Sequence, residues 1–384
     1  MDIAFVSNVV FPFVKGGAEK RIYEIGRRLA TAGHDVTVYG RHYWDGPPEI
    51  TYEGMDLRAV APAADLYAGE RRSILEAIGF ATGLAPALYR TQRREPHDVI
   101  DVSVFPFFPV LSTALAAPGS TPIVTTWHEV WGAYWEEYLG RLAPFGKTVE
   151  WLCANVDQQP VAVSGLTADR LAAIGPDRDV IEVIPNGIDL EKVRSAPLPS
   201  ESGNDRYDVL FVGRLIEDKN VDLLLEAFDD VAATRDATLG IIGEGPERQR
   251  LEALRDSLEH PDLITFLGFV ESDEDVLGYM RDADVFVSLS TREGFGIVFL
   301  EAMAADCTVI TVDHPASNAA AVVGEAGYTI PLERSAVEAR LADALDGDRP
   351  EEDPVERAEE FEWARIADRA EAYYRRVAAA DSNP

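Results

Sequence analysis

Residues 284–305 hold the densest set of groups able to act on a ligand: an apolar run, a loop of Glu293, Gly294, Phe295 and Gly296, then a helical stretch with Glu301 one turn in. In a strand–loop–helix unit the loop lies at the carboxyl end of the strand, and the helix N-terminus presents free amides and the positive end of its dipole. A phosphate suits that place. Gly294 and Gly296 let the backbone come close, Glu293 stands beside it, and the Glu301 carboxylate can reach hydroxyls. A tight turn with a solvated Glu301 is the alternative. Arg214 and Lys219 lie five apart in FVGRLIEDK, in a loop after another apolar run. There a planar fork and a point charge can converge on a diphosphate, or merely form weak surface salt bridges with Glu217 or Asp218. The run IIGEGP ends a strand at Gly243, in a turn that can line a nucleotide base or only reverse the chain.

Toward the amino end, Gly16 and Gly17 in VKGGAE precede a helix, a potential phosphate or sugar site that turn chemistry alone would also explain. His128 sits in TTWHEVWGAYW, an aromatic segment of the kind that stacks on sugar rings. A lone histidine is usually structural, but this one follows the strand at 123–126 and so faces the carboxyl end of a sheet. Asn186, in IPNGID, belongs to a loop near a domain junction.

These groups need a scaffold, and the hydrophobic pattern supplies one. A strand at 3–7, the glycine loop, a helix at 18–32 and a strand at 35–39 open an alternating α/β order, continued by strands at 99–104, 123–126, 160–164 and 180–184. The proline-, serine- and glycine-rich stretch 196–204 reads as a linker. The alternation restarts with strand 209–212, helix 221–231, strand 238–242, helix 247–258, strand 285–289, helix 297–305 and strand 308–311. Two doubly wound domains are therefore expected, 1–195 and 205–350, with a cleft between them. One amphipathic helix at 354–378, carrying Phe361, Trp363, Tyr373 and Tyr374, is expected to pack back on the first domain.

The chain has 384 residues, 47% of them hydrophobic, enough to fill two cores. Its 67 acidic and 35 basic residues give a formal charge of −32, which argues against nucleic acid as a partner. Only Lys15, Lys20, Lys147, Lys192 and Lys219 are lysines, and the acidic residues are scattered, as on the solvated surface of a protein from a halophilic organism. Residues 1–189 carry −8 (16 basic, 24 acidic) and 190–384 carry −24 (19 basic, 43 acidic). An anionic lipid surface would thus meet the first half more easily, which allows peripheral membrane contact through that domain. Cys153 and Cys307 lack metal-ligand spacing and read as buried free thiols. With neither a signal-peptide pattern nor an apolar run long enough to span a bilayer, a cytoplasmic protein is expected, at most peripheral at the inner face of the membrane.

The ordered set GGAE, His128, PNGID, VGRL with Lys219, GEGP, EGFG, the pair Glu293 and Glu301, and the Phe361–Trp363 tail resembles the family 4 retaining glycosyltransferases. That resemblance implies a GT-B fold of two facing Rossmann-like domains. It implies a hexosyltransferase-type enzyme that takes a nucleotide-sugar as co-substrate and passes the sugar to a glycan, a lipid-linked saccharide or a small acceptor, with no metal and no resident cofactor. By resemblance, Arg214 and Lys219 serve the diphosphate, Glu301 the ribose, Glu293 and His128 the transferred sugar, while Gly16 approaches the phosphates. The chain departs from the family at Asp306-Cys307-Thr308 and at 314–318, His-Pro-Ala-Ser-Asn, a loop that lies near the donor in the family. Asp282-Ala283-Asp284 spells a metal-binding pattern of a different glycosyltransferase fold, but it straddles a helix end and a strand start, where a capping or register role is expected. A nucleotide-sugar epimerase on the same scaffold is the alternative, and a non-catalytic nucleotide-sugar sensor a third reading. An NAD-dependent dehydrogenase is disfavoured because neither glycine loop spells G-x-G-x-x-G.

Overall fold

The computed structural model describes residues 1–14, 16–65, 67–68, 71–72, 74–117, 119, 121–202 and 205–381; Lys15 and part of the expected linker lie outside them. The chain divides into two compact units, one made of Met1–Asn186 with Trp363–Pro384 and the other of Gly187–Glu362. Each is an α/β sandwich around a mainly parallel sheet, as two Rossmann-like domains require.

In the first unit the sheet runs Glu182–Val183, Gln159–Ala162, Ile123–Trp127, Val99–Ser103, Asp2–Val6, Asp35–His42, Met55–Pro62, Glu49–Tyr52. Only the last pair is antiparallel. All five residues of Val99–Ser103 are buried, as expected of a parallel strand covered on both faces. The order reverses between Asp2–Val6 and Val99–Ser103, so their carboxyl ends flank the crevice where such sheets bind ligands. The helix Gly17–Thr31 covers one face, burying Ile22, Ile25 and Leu29 at helical spacing.

The second unit has a six-stranded sheet in the order Ile264–Gly268, Leu239–Ile242, Val209–Val212, Val285–Ser288, Thr308–Val312, Tyr328–Ile330, with every pair parallel. By position in its own unit this is the 3-2-1-4-5-6 order of a dinucleotide-binding fold, with its switch point between Val209–Val212 and Val285–Ser288.

The tail differs from the single helix expected at 354–378. It forms Pro354–Glu359 in the second unit and Trp363–Asp381 in the first. The carbonyl of Phe361 accepts a hydrogen bond from Ile188 N at 2.8 Å, which takes that carbonyl out of a helical ladder and ends the first helix. Beyond the break, Trp363, Ile366, Ala370, Tyr373, Tyr374 and Val377 are all buried in one stripe, packed with Phe5 and the helix Gly17–Thr31. The residues 190–195 fold as a helix, Leu190–Ser195, that belongs to the second unit, so the crossing falls at Asn186–Gly187.

Candidate active site

At the switch point of the second unit, the loops after Val209–Val212 and Val285–Ser288 are stitched together. Thr291 N and Oγ1 both donate to the Asp218 carbonyl, at 2.9 and 3.2 Å. Asn220, in a left-handed conformation (φ 49°), donates its side-chain amide to the carbonyls of Leu289 (2.9 Å) and Asp218 (3.2 Å). This brings Lys219 to Glu293. Their ammonium and carboxylate form an ion pair, each side chain only 16% exposed. Lys219 therefore takes neither of the local partners, Glu217 or Asp218, that its sequence neighbourhood offers.

Glu293 is held by its backbone as well. Its N–H donates to the Ala316 carbonyl at 3.4 Å and its carbonyl accepts from Asn318 N at 2.9 Å, a bridge to the loop 314–318. Just downstream, Gly296 caps the helix Ile297–Ala304 at φ +90°, and a Cβ there would press on Phe299. Among the described residues no side chain caps this helix and no acidic residue sits in its first turn, so nothing competes with an anion for its first amides, at Ile297 and Val298. Glu301 lies one turn in, half-buried, and Gly294 lies in the loop between. Phe295 is buried against Phe361 (ring centroids 6.0 Å apart), so its ring anchors the loop by packing.

Arg214 lies in the same loop cluster, exposed and without a side-chain partner among the described residues, whereas Arg206, Arg235, Arg250 and Arg334 of this unit all pair with carboxylates. Gly243 closes the floor. Its φ is +140° and a Cβ would collide with the Gly213 carbonyl, so only glycine lets the IIGEGP turn lie against the loop of Arg214. Gly213 N donates to Ile242 O at 3.0 Å, and Leu215 N to Glu244 O at 2.9 Å.

In the first unit His128 follows the strand Ile123–Trp127 at its carboxyl end. The residue is half-buried, with Nε2 buried and without a partner among the described residues. Burial, reinforced by the nearby Arg21 guanidinium, pushes its pKa down to about 3, so the imidazole is neutral at physiological pH. Asn186 is buried and its Oδ1 accepts from Arg21 at 3.3 Å. Gly16 and Gly17 open the helix Gly17–Thr31, but the buried Glu19 carboxylate lies where a Cβ on Gly16 would be. The aromatic segment after His128 stacks mainly on itself. Trp131 packs on Phe105 (4.9 Å, 29°) and Trp135 (4.7 Å), and the buried Glu150 carboxylate accepts from Trp131 N, Gly132 N and Trp135 Nε1 at 2.7, 3.1 and 3.0 Å. Burial raises the Glu150 pKa against the pull of those three donors.

Two model families match the chain in tandem: "Glycosyltransferase Family 4" over residues 15–192 and "Glycosyl transferases group 1" over 197–361. The chain belongs to the family 4 glycosyltransferases. It is 26% identical to a phosphatidyl-myo-inositol mannosyltransferase of Mycolicibacterium smegmatis, covering 96% of this chain and 92% of that one. It is 27% identical to a glycogen synthase of Mycobacterium tuberculosis over the same shares. Among solved structures, a sucrose-phosphate synthase from Thermosynechococcus elongatus superposes with a TM-score of 0.76 at 20% identity, covering 99% of both chains. HepE of Anabaena, in complex with UDP and glucose, gives 0.69 at 18% identity, covering 97% of this chain and 99% of that one. The fold is GT-B and the activity that of a glycosyltransferase.

Around these candidate residues the structure also places others that the motifs did not announce. Asn220, Thr291 and the loop 314–318 set the position of Glu293, Arg21 acts on His128, and Glu150 holds the aromatic segment that follows it. A left-handed asparagine and buried charges leave no periodic trace in sequence; only the 314–318 segment stood out, as a departure from the family. Elsewhere, Asp284 pairs with Arg206 at 2.6 Å and its carbonyl accepts from Thr308 N, a register role at the strand start. Cys153 and Cys307 are buried free thiols, each pushed up to about 12 by burial. Among the described residues no helix is long and apolar enough to cross a membrane.

Proposed function

We propose that this glycosyltransferase moves a hexose from a nucleotide-sugar to a glycan, lipid-linked or small acceptor with retention of anomeric configuration, using no metal ion. The observation that carries the reading is the Lys219–Glu293 pair set beside an uncapped helix N-terminus at a sheet switch point. Arg214 and Lys219 are cations of this loop cluster, in a half of the chain that carries a net −24 (19 basic, 43 acidic). Arg214, Lys219 and the amides at 294–296 hold the diphosphate and stabilise the charge that develops on it as it leaves. Glu301 takes the ribose hydroxyls, Gly243 lies along the base, and Glu293 orients the transferred sugar.

In the first unit His128, neutral, serves as a hydrogen-bonding group for that sugar. Gly16 and Gly17 take hydroxyls more readily than phosphate, since Glu19 already places a negative charge at their helix end. The acceptor hydroxyl attacks on the face from which the diphosphate departs. The bond from the anomeric carbon to the phosphate oxygen breaks, the bond to the acceptor oxygen forms, and the hydroxyl proton passes to the departing phosphate.

A UDP-bound structural neighbour supports a nucleotide donor, and relatives named for phosphatidyl-myo-inositol and for diacylglycerol products support a lipid acceptor, met by peripheral contact of the first unit with the inner membrane face. The test is turnover of a nucleotide-sugar panel in concentrated KCl, with EDTA, read by NMR of the product. Retention, release of free nucleoside diphosphate and survival in EDTA are expected. Inversion or strict metal dependence contradicts the mechanism, and an epimerised donor with no transfer to acceptor points to the epimerase instead.

A further inference from the structure

His128 does not stand alone in the first unit. Below it the Asp101 carboxylate, buried on the middle strand, accepts from Thr126 Oγ1 at 2.8 and 3.1 Å and from the hydroxyl of Tyr374 on the C-terminal helix. Arg21, also buried, acts on Asp101 electrostatically and donates to the Pro185 carbonyl and Asn186 Oδ1. Arg21, Asp101, Ser103, Thr126 and His128 together line a cavity of about 10 Å³, room for a single water with polar partners. His128 Nε2, buried and without a protein partner among the described residues, belongs to that lining residue.

We propose that Asp101 and Tyr374 are positioning residues for His128, acting through one water held in this cavity, so that the C-terminal helix is part of the catalytic apparatus. The inference rests on the functional reading above. Three features converge on it. A buried carboxylate and a buried guanidinium in one unit are costly unless they are hydrogen-bonded, and here Asp101 accepts from Thr126 and Tyr374 while Arg21 donates to the Pro185 carbonyl and Asn186 Oδ1. Five of the eight residues lining the cavity carry polar side chains, beside Phe5, Ile22 and Ile25, so a water there has hydrogen-bond partners. A water that bonds Nε2 leaves Nδ1 as the group presented to substrate, and its orientation, set by its bond to Asp101, selects the tautomer. Tyr374 bonds Asp101 from the C-terminal helix, which packs beside the helix Gly17–Thr31 on the same face of the sheet. Charge supports the same picture: burial, and after it Arg21, keep the imidazole neutral, while Asp101 and Tyr374 oppose the loss of the guanidinium's own charge.

The test compares two buried tyrosine hydroxyls in the full-length enzyme. Tyr374→Phe removes the bond to Asp101, and Tyr39→Phe removes an equally buried bond, to His97 at 2.9 Å, in the same unit. Melting temperature, kcat, donor KM and the ¹⁵N resonances of His128 are measured for both. Tyr374→Phe is expected to lower kcat five- to fiftyfold with donor KM within twofold, and to shift the His128 tautomer; Tyr39→Phe lowers only the melting temperature. Asp101→Asn, which keeps the side chain's shape, should reproduce the Tyr374→Phe kinetics. If Tyr374→Phe matches Tyr39→Phe in kcat and in the His128 resonances, the proposal is overturned. Should His128→Ala itself keep the parent kcat, the functional reading fails, and the tautomer measurement alone then decides the positioning claim.

Discussion

Two helices in this chain begin directly after a glycine loop, and they end up with opposite electrostatic characters. Gly17–Thr31 in the first unit carries Glu19 in its first turn, with the carboxylate folded back over Gly16. Ile297–Ala304 in the second has no acidic residue in its first turn and no side-chain cap. The first helix therefore satisfies its own dipole, and the second leaves it for a ligand. Lys219 and Arg214 stand beside the open one. A glycine loop before a helix thus says little about phosphate until the first-turn carboxylates are counted.

The largest effect that can break this contrast is expected at Glu293. Replacing it with Gln keeps the size but removes the charge that faces Lys219, and kcat should fall by roughly tenfold to a thousandfold, the scale of one transition-state contact. Circular dichroism matching the parent is needed before the kinetics are read; parent-like turnover places the chemistry elsewhere.

The same asymmetry appears in bulk charge, −8 in residues 1–189 (16 basic, 24 acidic) against −24 in 190–384 (19 basic, 43 acidic). Screening of that repulsion is strong only when the Debye length shrinks toward ~3 Å at molar salt. On dilution from molar KCl to ~0.1 M, calorimetry should show the second unit melting first and at lower temperature. An unchanged thermogram would remove the halophile reading and the charge contrast together.

Smaller effects separate ground-state from transition-state contacts. Glu301→Ala should raise the donor KM, by about tenfold for one lost ribose contact, and leave kcat within about twofold. A fall in kcat with constant KM would move Glu301 into the chemistry. In the first unit His128 offers a pH test. Its pKa is about 3 in the folded chain against 6.5 for an ordinary histidine, so between these values the unfolded chain binds the extra proton. Stability contributed by the neutral imidazole is thus complete above pH 6.5 and is lost as pH falls toward 3, by about 1.4 kcal/mol per unit. His128→Gln should flatten the fall in melting temperature between pH 6.5 and 5, relative to the parent.

Much of this was legible in the chain. The apolar runs at 209–212, 285–289 and 308–311 are strands of one parallel sheet, because buried parallel strands are uniformly apolar and short. The meeting of Lys219 with Glu293, 74 residues apart, depends on which strands are neighbours, and the alternating order of elements allows several sheets. The hairpin of Glu49–Tyr52 and Met55–Pro62 and the helix Ile74–Gln92 are not evident from the sequence, the first because its two-residue turn puts Glu53, rather than Asn, Asp or Gly, at positive φ before Gly54, and the second because Gly79, Gly83 and Pro86 interrupt it. The tail was read as one helix since its periodicity runs through the break; the carbonyl of Phe361 that ends it is claimed by Ile188, a partner about 170 residues earlier that no local pattern reveals.

The central claim is that the second unit receives the nucleoside diphosphate. Isothermal titration of the full-length protein with UDP, GDP and ADP in molar KCl tests it most directly, using the tightest of the three against Lys219→Met and Glu19→Gln. Lys219→Met removes the cation and leaves Glu293 to repel the ligand, and should weaken binding by at least about tenfold, or 1.4 kcal/mol. Glu19→Gln, which opens the first unit's helix, should leave the affinity within about twofold. Unchanged affinity for Lys219→Met, together with a marked change for Glu19→Gln, would place the diphosphate on the first unit and contradict the account.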